Sequence, residues 1–155
     1  MRKAIDPGAW GELLVQSDLM LKGVDSARLA SDTGVDVLGM IPARKGGRVL
    51  RVQVKTKEAQ QVGAPFACSF RKGDEQKADL FAFVLNEKDR KQRWYVSAEH
   101  LKGLIKSQPK FCFYPDERQN GKGAVDFSSY KGLAGLQKFL DGFAAGHKKA
   151  KVAGA

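Results

Sequence analysis

Residues 51–57, Arg51-Val52-Gln53-Val54-Lys55-Thr56-Lys57, alternate polar and apolar with a period of two. Successive side chains of a strand point to opposite faces. Val52 and Val54 are therefore expected on a core face, and Arg51, Gln53, Lys55 and Lys57 together on the other. A polar strand face is ordinarily just solvated. Its interest comes from the stretch before it, Gly34-Val35-Asp36-Val37-Leu38, which sets a carboxylate in an otherwise apolar run. Such a group must be paired, hydrated or bound to a metal. Between the two stretches Pro42 to Gly47 is a basic turn with two glycines, so 35–41 and 48–57 read as the arms of a hairpin.

Working outward, Asp6-Pro7 is a helix start signal, and Trp10, Leu13, Leu14, Ser17, Met20 and Leu21 recur at three- and four-residue steps. This predicts an amphipathic helix over 9–22 with that stripe as its apolar face, ended by Gly23. Glu12 and Gln16 share a different face, one turn apart. A short strand is expected at 27–30, a turn at Ser31 to Gly34, and another short strand at 66–70. Leu80-Phe81-Ala82-Phe83-Val84-Leu85 is the strongest central-strand signal, and 93–97 forms a second hairpin or edge strand with it. A helix over 99–106, an edge segment at 110–114 and a mobile loop over 116–123 follow. The last helix, 128–143, carries Tyr130, Leu133, Leu136, Leu140 and Phe143 on one stripe. The expected organisation is a single domain over residues 1–145 and a basic, disordered tail over 146–155. Helix, strands, helix, segment, helix imply an α/β fold, a central mixed β-sheet flanked by helices.

The chain of 155 residues holds 27 Lys and Arg against 17 Asp and Glu, a formal net charge of +10. That balance points to a polyanionic partner, nucleic acid before an anionic surface. Cys68 and Cys112 sit in apolar stretches without a second Cys or a His at ligand spacing, so they read as buried thiols and a zinc site is excluded. No stretch approaches the ~20 apolar residues of a membrane span, and the first residues lack the apolar core of a signal peptide. A cytoplasmic location is expected.

Taken together, Gly11-Glu12 in the first helix, Gly34-Val35-Asp36-Val37-Leu38, Val52-Gln53-Val54-Lys55-Thr56, and Lys77-Ala78-Asp79 before an apolar strand resemble, in order and spacing, the signature of the PD-(D/E)xK nuclease superfamily over residues 8–85. That superfamily includes restriction endonucleases, archaeal-type Holliday junction resolvases and some homing endonucleases. The resemblance implies a restriction-endonuclease-like core and metal-dependent hydrolysis of phosphodiester bonds in DNA. It implies that Asp36 binds Mg²⁺ or Mn²⁺, that the Gln53 side chain and the Val54 carbonyl complete the shell, that Lys55 orients or stabilises the attacking water, and that Glu12 is an additional ligand, direct or through water. Val35 stands where the superfamily has its proline, and Gln53 where it has an acidic residue. The second departure removes one negative ligand from a site meant for a hard cation.

Arg44, Lys45, Arg48, Arg51, Lys57, Arg71 and Lys72 supply a candidate backbone-binding track, which holds phosphates without reading sequence. Trp94, Tyr95 and Phe113 read as core. Two rival readings remain open: a nucleic-acid-binding module of this fold that has lost cleavage, and a protein-binding domain with a basic surface. Cutting both strands would call for a homodimer.

Overall fold

The computed structural model describes residues 6–30, 33–88, 90–116 and 123–153, with the backbone alone over 147–153. The first helix, α1 (Pro7–Leu21), starts where Asp6 accepts a hydrogen bond from the Gly8 amide at 3.4 Å and Pro7 occupies the first turn, a position where its missing N–H is no loss. Strands β1 (Asp25–Arg28), β2 (Val37–Met40) and β3 (Val49–Glu58) form an antiparallel meander, with a 3₁₀ turn at Ala43–Lys45 closing the expected hairpin. Strand β4 (Phe66–Ser69) leaves this sheet, and the chain returns through a 3₁₀ turn at Asp74–Gln76 to β5 (Leu80–Glu87), which lies parallel to β3. Strand β6 (Arg90–Ser97) pairs antiparallel with β5 and leads into α2 (Ala98–Ser107). Strand β7 (Lys110–Phe113) then pairs with β4 in a separate two-stranded sheet. A 3₁₀ turn at Ser128–Tyr130 precedes α3 (Gly132–Ala153).

The main sheet runs β1-β2-β3-β5-β6, and its pleat divides the core in two. Leu50, Val52, Leu80, Ala82, Val84 and Tyr95 face α1 and α3, where they meet Val15, Leu19, Leu136 and Leu140. Phe81, Phe83, Leu85, Trp94 and Val96 face the other way and are covered by α2 and by the β4–β7 ribbon. That second layer is aromatic: Phe66 and Phe113 stack at 5.2 Å, Phe70 and Phe111 at 5.8 Å, and Phe83 meets Phe66 edge-on at 5.6 Å. Aromatic pairs in these arrangements contribute about 0.5–1.5 kcal/mol beyond area burial. Cys68 and Cys112 are free thiols, and burial pushes Cys68 up to about 12 against the opposing charges of Lys55 and Lys57. A thiol so shifted is inert. Among the described residues no helix is long and apolar enough to cross a membrane.

One sequence expectation is overturned. The buried residues of α1 are Gly11, Val15, Asp18 and Leu19, whereas Leu13, Met20 and Leu21 of the expected apolar stripe are 46%, 59% and 69% exposed. Two observations account for the rotation. A Cβ at Gly11 would lie 1.9 Å from the Thr56 Oγ1, so the helix sits on β3 at a residue without a side chain. Asp18 is drawn inward by Arg93 and Tyr95, at 2.5 Å from each. The backbone of α3 continues to Ala153, past the 145/146 boundary expected from sequence. The side chains of Lys148, Lys149 and Lys151, Ser31 and Asp32 of the expected turn, and 117–122 of the expected loop lie outside the described residues.

Candidate metal and nucleic-acid site

The site arises where β2 stops and β3 continues. Strand β2 pairs with β3 only as far as Val37 opposite Val52, and the Asp36 amide donates to the Val52 carbonyl at 2.9 Å. One step further the register sets Asp36 opposite Gln53. Val37 faces the α1 layer, so alternation turns Asp36 to the opposite face, the one that carries Gln53 and Lys55. Beyond this point β3 has no strand on that side, and the Asp36 carboxylate takes over: its Oδ2 accepts from the Val54 amide at 2.6 Å. The N–H and C=O of one strand residue point the same way, so the Val54 carbonyl is also directed to the Asp36 side. Gly34 shapes the approach, with φ of +78° and only 2.8 Å between an imagined Cβ and the Lys77 Cδ. A side chain there would be strained and would press on Lys77.

Gln53 is half-buried, and its Oε1 is buried with no hydrogen-bond partner among the described residues. A buried amide oxygen without a partner is costly, and a hard cation beside Asp36 would satisfy it. Lys55, next on the same face, holds its ammonium 4.9 Å above the Phe70 ring. Its charge contributes to lowering Asp74, whose carboxyl is pulled down first by the Lys77 hydrogen bond at 2.8 Å and then by the Arg71 amide. The Phe70 seat was not visible in sequence, because it depends on β4 folding over β3.

Glu12 does not join this group directly. Its Oε2 is held at 2.8 Å by Arg28 of β1. Among the described residues no cluster of three or more His, Cys, Asp or Glu side chains could hold a metal. The available donors are the Asp36 carboxylate, the unpartnered Gln53 amide oxygen and the Val54 carbonyl. They are all oxygens, as Mg²⁺ and Mn²⁺ prefer, and they fit such an ion with a single formal negative charge.

The basic residues divide. Arg44, Lys45, Arg71 and Lys72 are exposed. Arg51 is engaged by Asp79 through two side-chain hydrogen bonds, at 3.3 and 3.0 Å, which raise its pKa further. Arg48 donates to the Phe143 carbonyl at 3.1 Å and lies 3.9 Å over that ring, and Lys57 donates to the Pro65 carbonyl at 3.3 Å. Trp94, Tyr95 and Phe113 are fully buried core residues. Sequence reading missed the Asp18–Arg93–Tyr95 cluster: a lone acid in an amphipathic helix carries no signal that it points inward.

A mixed sheet of this order with helices on both faces is a restriction-endonuclease-like fold. The structure superposes on that of a bacterial homing endonuclease, I-Ssp6803I, with a TM-score of 0.63 over 92% of this chain and 95% of that one, at 13% sequence identity. A Holliday junction resolvase, Hjc from Archaeoglobus fulgidus, matches at a TM-score of 0.40 over 61% of this chain and 75% of that one, at 14% identity. Likeness at the first level establishes a shared fold, and the second is too distant to argue from. No family model matches the chain, and no curated protein matches it in sequence.

Proposed function

We propose that the protein is a Mg²⁺- or Mn²⁺-dependent endonuclease that hydrolyses phosphodiester bonds in DNA. The observation that carries this reading is the unpartnered Gln53 oxygen on the strand face of Asp36 and Lys55, at the point where β2 ends. When bound, a divalent cation supplies an activated water and neutralises charge on the phosphoryl oxygens. Asp36 and Gln53, with the Val54 carbonyl, hold that cation. Lys55 stabilises the negative charge that develops on the phosphoryl group, and the Phe70 ring keeps its ammonium on this face. Arg44, Lys45, Arg71 and Lys72 are exposed to bind the backbone, in keeping with the +10 net charge.

The test is cleavage of supercoiled plasmid, linear duplex, four-way junction and single-stranded DNA and RNA with Mg²⁺, Mn²⁺ or EDTA. Products that need the metal and are lost in both Asp36→Ala and Lys55→Ala are expected. Cleavage retained by a rigorously purified Asp36→Ala protein would defeat the proposal. The absence of an acid at Gln53 favours a second reading, a binding module without cleavage. Duplex binding unchanged in both variants, with no products under any condition, is its outcome.

A further inference from the structure

Six large apolar side chains are exposed among the described residues, and three of them, Leu13, Met20 and Leu21, stand on α1. At roughly 100° per residue, Leu13, Ser17 and Leu21 form one ridge at four-residue steps, and Gln16 and Met20 form the next. The groove between the two ridges is lined by these five residues. It lies about half a turn from the buried Val15, on the side of the helix away from the sheet. The platform is firm: Gly11 seats α1 on Thr56, and the Gln16 side-chain amide donates to the Ser26 carbonyl at 2.8 Å.

The stripe is also neutral. Residues 7–21 contain no Lys or Arg. Their two acids are already paired, Glu12 with Arg28 at 2.8 Å and Asp18 with Arg93 at 2.5 Å. Lys91 lies over Trp10, a turn before the stripe, and Lys22 caps the helix after it. A nucleic acid or an anionic membrane finds no cation on the stripe to hold it, and on a chain of net +10 a second copy meets least repulsion there. The pattern is self-complementary as well. A two-fold axis at Ser17 sets Leu13 against the Leu21 of a second copy, and the small Ser17 side chain lets the helix axes approach.

We propose that the outer face of α1 is a self-association surface, on which a second copy of this chain docks antiparallel, ridge into groove, about a two-fold axis at Ser17. Val37 faces α1 and Asp36 the other side of the sheet, so the two copies stand back to back with their candidate sites outward. The pair is not the arrangement that sets two sites on one duplex; it offers a separate face to each of two. Neither the surface nor its test depends on the nuclease reading above.

Sedimentation velocity of the full chain over a concentration series reads the association directly. A single helix pair buries less than the about 1,200 Å² of a stable interface, so dimerisation is expected in the micromolar range. Added salt should strengthen it by screening the repulsion between two chains of net +10, whereas salt weakens any hold on nucleic acid. Leu13→Lys and Leu21→Glu are each expected to weaken dimerisation at least about tenfold, because each removes two buried leucine contacts. Both positions are exposed in the single chain, so thermal midpoints of the dilute variants should stay at the wild-type value. Mixed together, the two variants should recover most of the lost affinity: the introduced ammonium faces the introduced carboxylate at one contact, and leucine meets leucine at the other. A chain that is monomeric at millimolar concentration overturns the proposal, whether or not it binds anionic vesicles. A dimer that both variants leave intact overturns it too, and so does a mixture that stays monomeric, since the antiparallel pairing requires the recovery.

Discussion

At the scale of single residues, Thr56 and Gln53 carry the sharpest consequences. The Thr56 hydroxyl is buried without a partner among the described residues and lies against Gly11. Thr56→Val keeps the shape and removes the orphaned hydroxyl, so it is expected to stabilise the fold by about 1 kcal/mol. Gly11→Ala drives a methyl into the same contact and should destabilise by about 1–3 kcal/mol. Urea denaturation of the two variants checks both signs. Gln53→Glu places a second carboxylate on the face of Asp36. In Mn²⁺ the variant should show a larger rise in thermal midpoint than the wild type, since a cation bound to the native state stabilises it. In EDTA it should melt below the wild type, because a second carboxylate then faces Asp36 without a counter-charge. The placement of Gln53 and Lys55 on one face was legible from the alternation of 51–57. The empty hydrogen-bonding position at Gln53 was not, because whether a buried oxygen has a partner depends on groups distant in sequence.

At the scale of elements, α1 is held to the sheet by a buried polar clamp. Asp18 is 2% exposed and accepts from Arg93, at 2.5 and 3.0 Å, and from the Tyr95 hydroxyl. Burial first, and the Asp18 charge second, raise the Tyr95 hydroxyl far above its ordinary value and keep it a proton donor. Asp18→Ala leaves both donors unanswered and should lower stability by about 3 kcal/mol in urea denaturation. Tyr95→Phe, which leaves the Arg93 pair in place, should lower it by about 1 kcal/mol. The β5–β6 hairpin has its own clamp in Glu87, which receives the Gly63 amide at 3.1 Å, Gln92 at 2.7 Å and Arg90 at 3.3 Å. Burial pushes its carboxyl up, but these donors and the Arg90 charge outweigh it and hold the group below its ordinary value of 4.5. A carboxyl depressed in the folded state stabilises above its unfolded value, and that contribution is lost as pH falls through the folded value. Stability measured below about pH 4.5 should therefore fall more steeply for the wild type than for Glu87→Gln. The elements themselves were largely legible: helices, both hairpins and the apolar β5 follow the periods of their residues. The face of α1 was misread, since periodicity sends an aspartate outward and cannot foresee an arginine and a tyrosine waiting on β6.

At the scale of the whole molecule, charge dominates. With a net +10 and Arg44, Lys45, Arg71 and Lys72 exposed, duplex affinity should fall linearly in log–log terms with added salt. Each cation that neutralises a phosphate contributes about 0.9 to the slope. The triple variant Arg44→Ala, Lys45→Ala and Arg71→Ala should flatten the slope by up to about 2.7 on the same basis. Arg51→Ala is expected to act chiefly on stability, because Asp79 already holds that guanidinium.

The residues by themselves determined the mixed α/β fold, the β2–β3 hairpin, the central β5 strand and the shared face of Gln53 and Lys55. Each of these follows from a local period, and the period reports which side of an element is buried. Only the tertiary structure decided the pairing of β4 with β7 across the chain from Phe66 to Phe113, the seat of Lys55 on Phe70, the inward turn of Asp18 and the capture of Glu12 by Arg28. These are partnerships between residues brought together by the packing of separate elements. A sequence period says that a side chain is covered or exposed, and the identity of what covers it is fixed by how the layers come together.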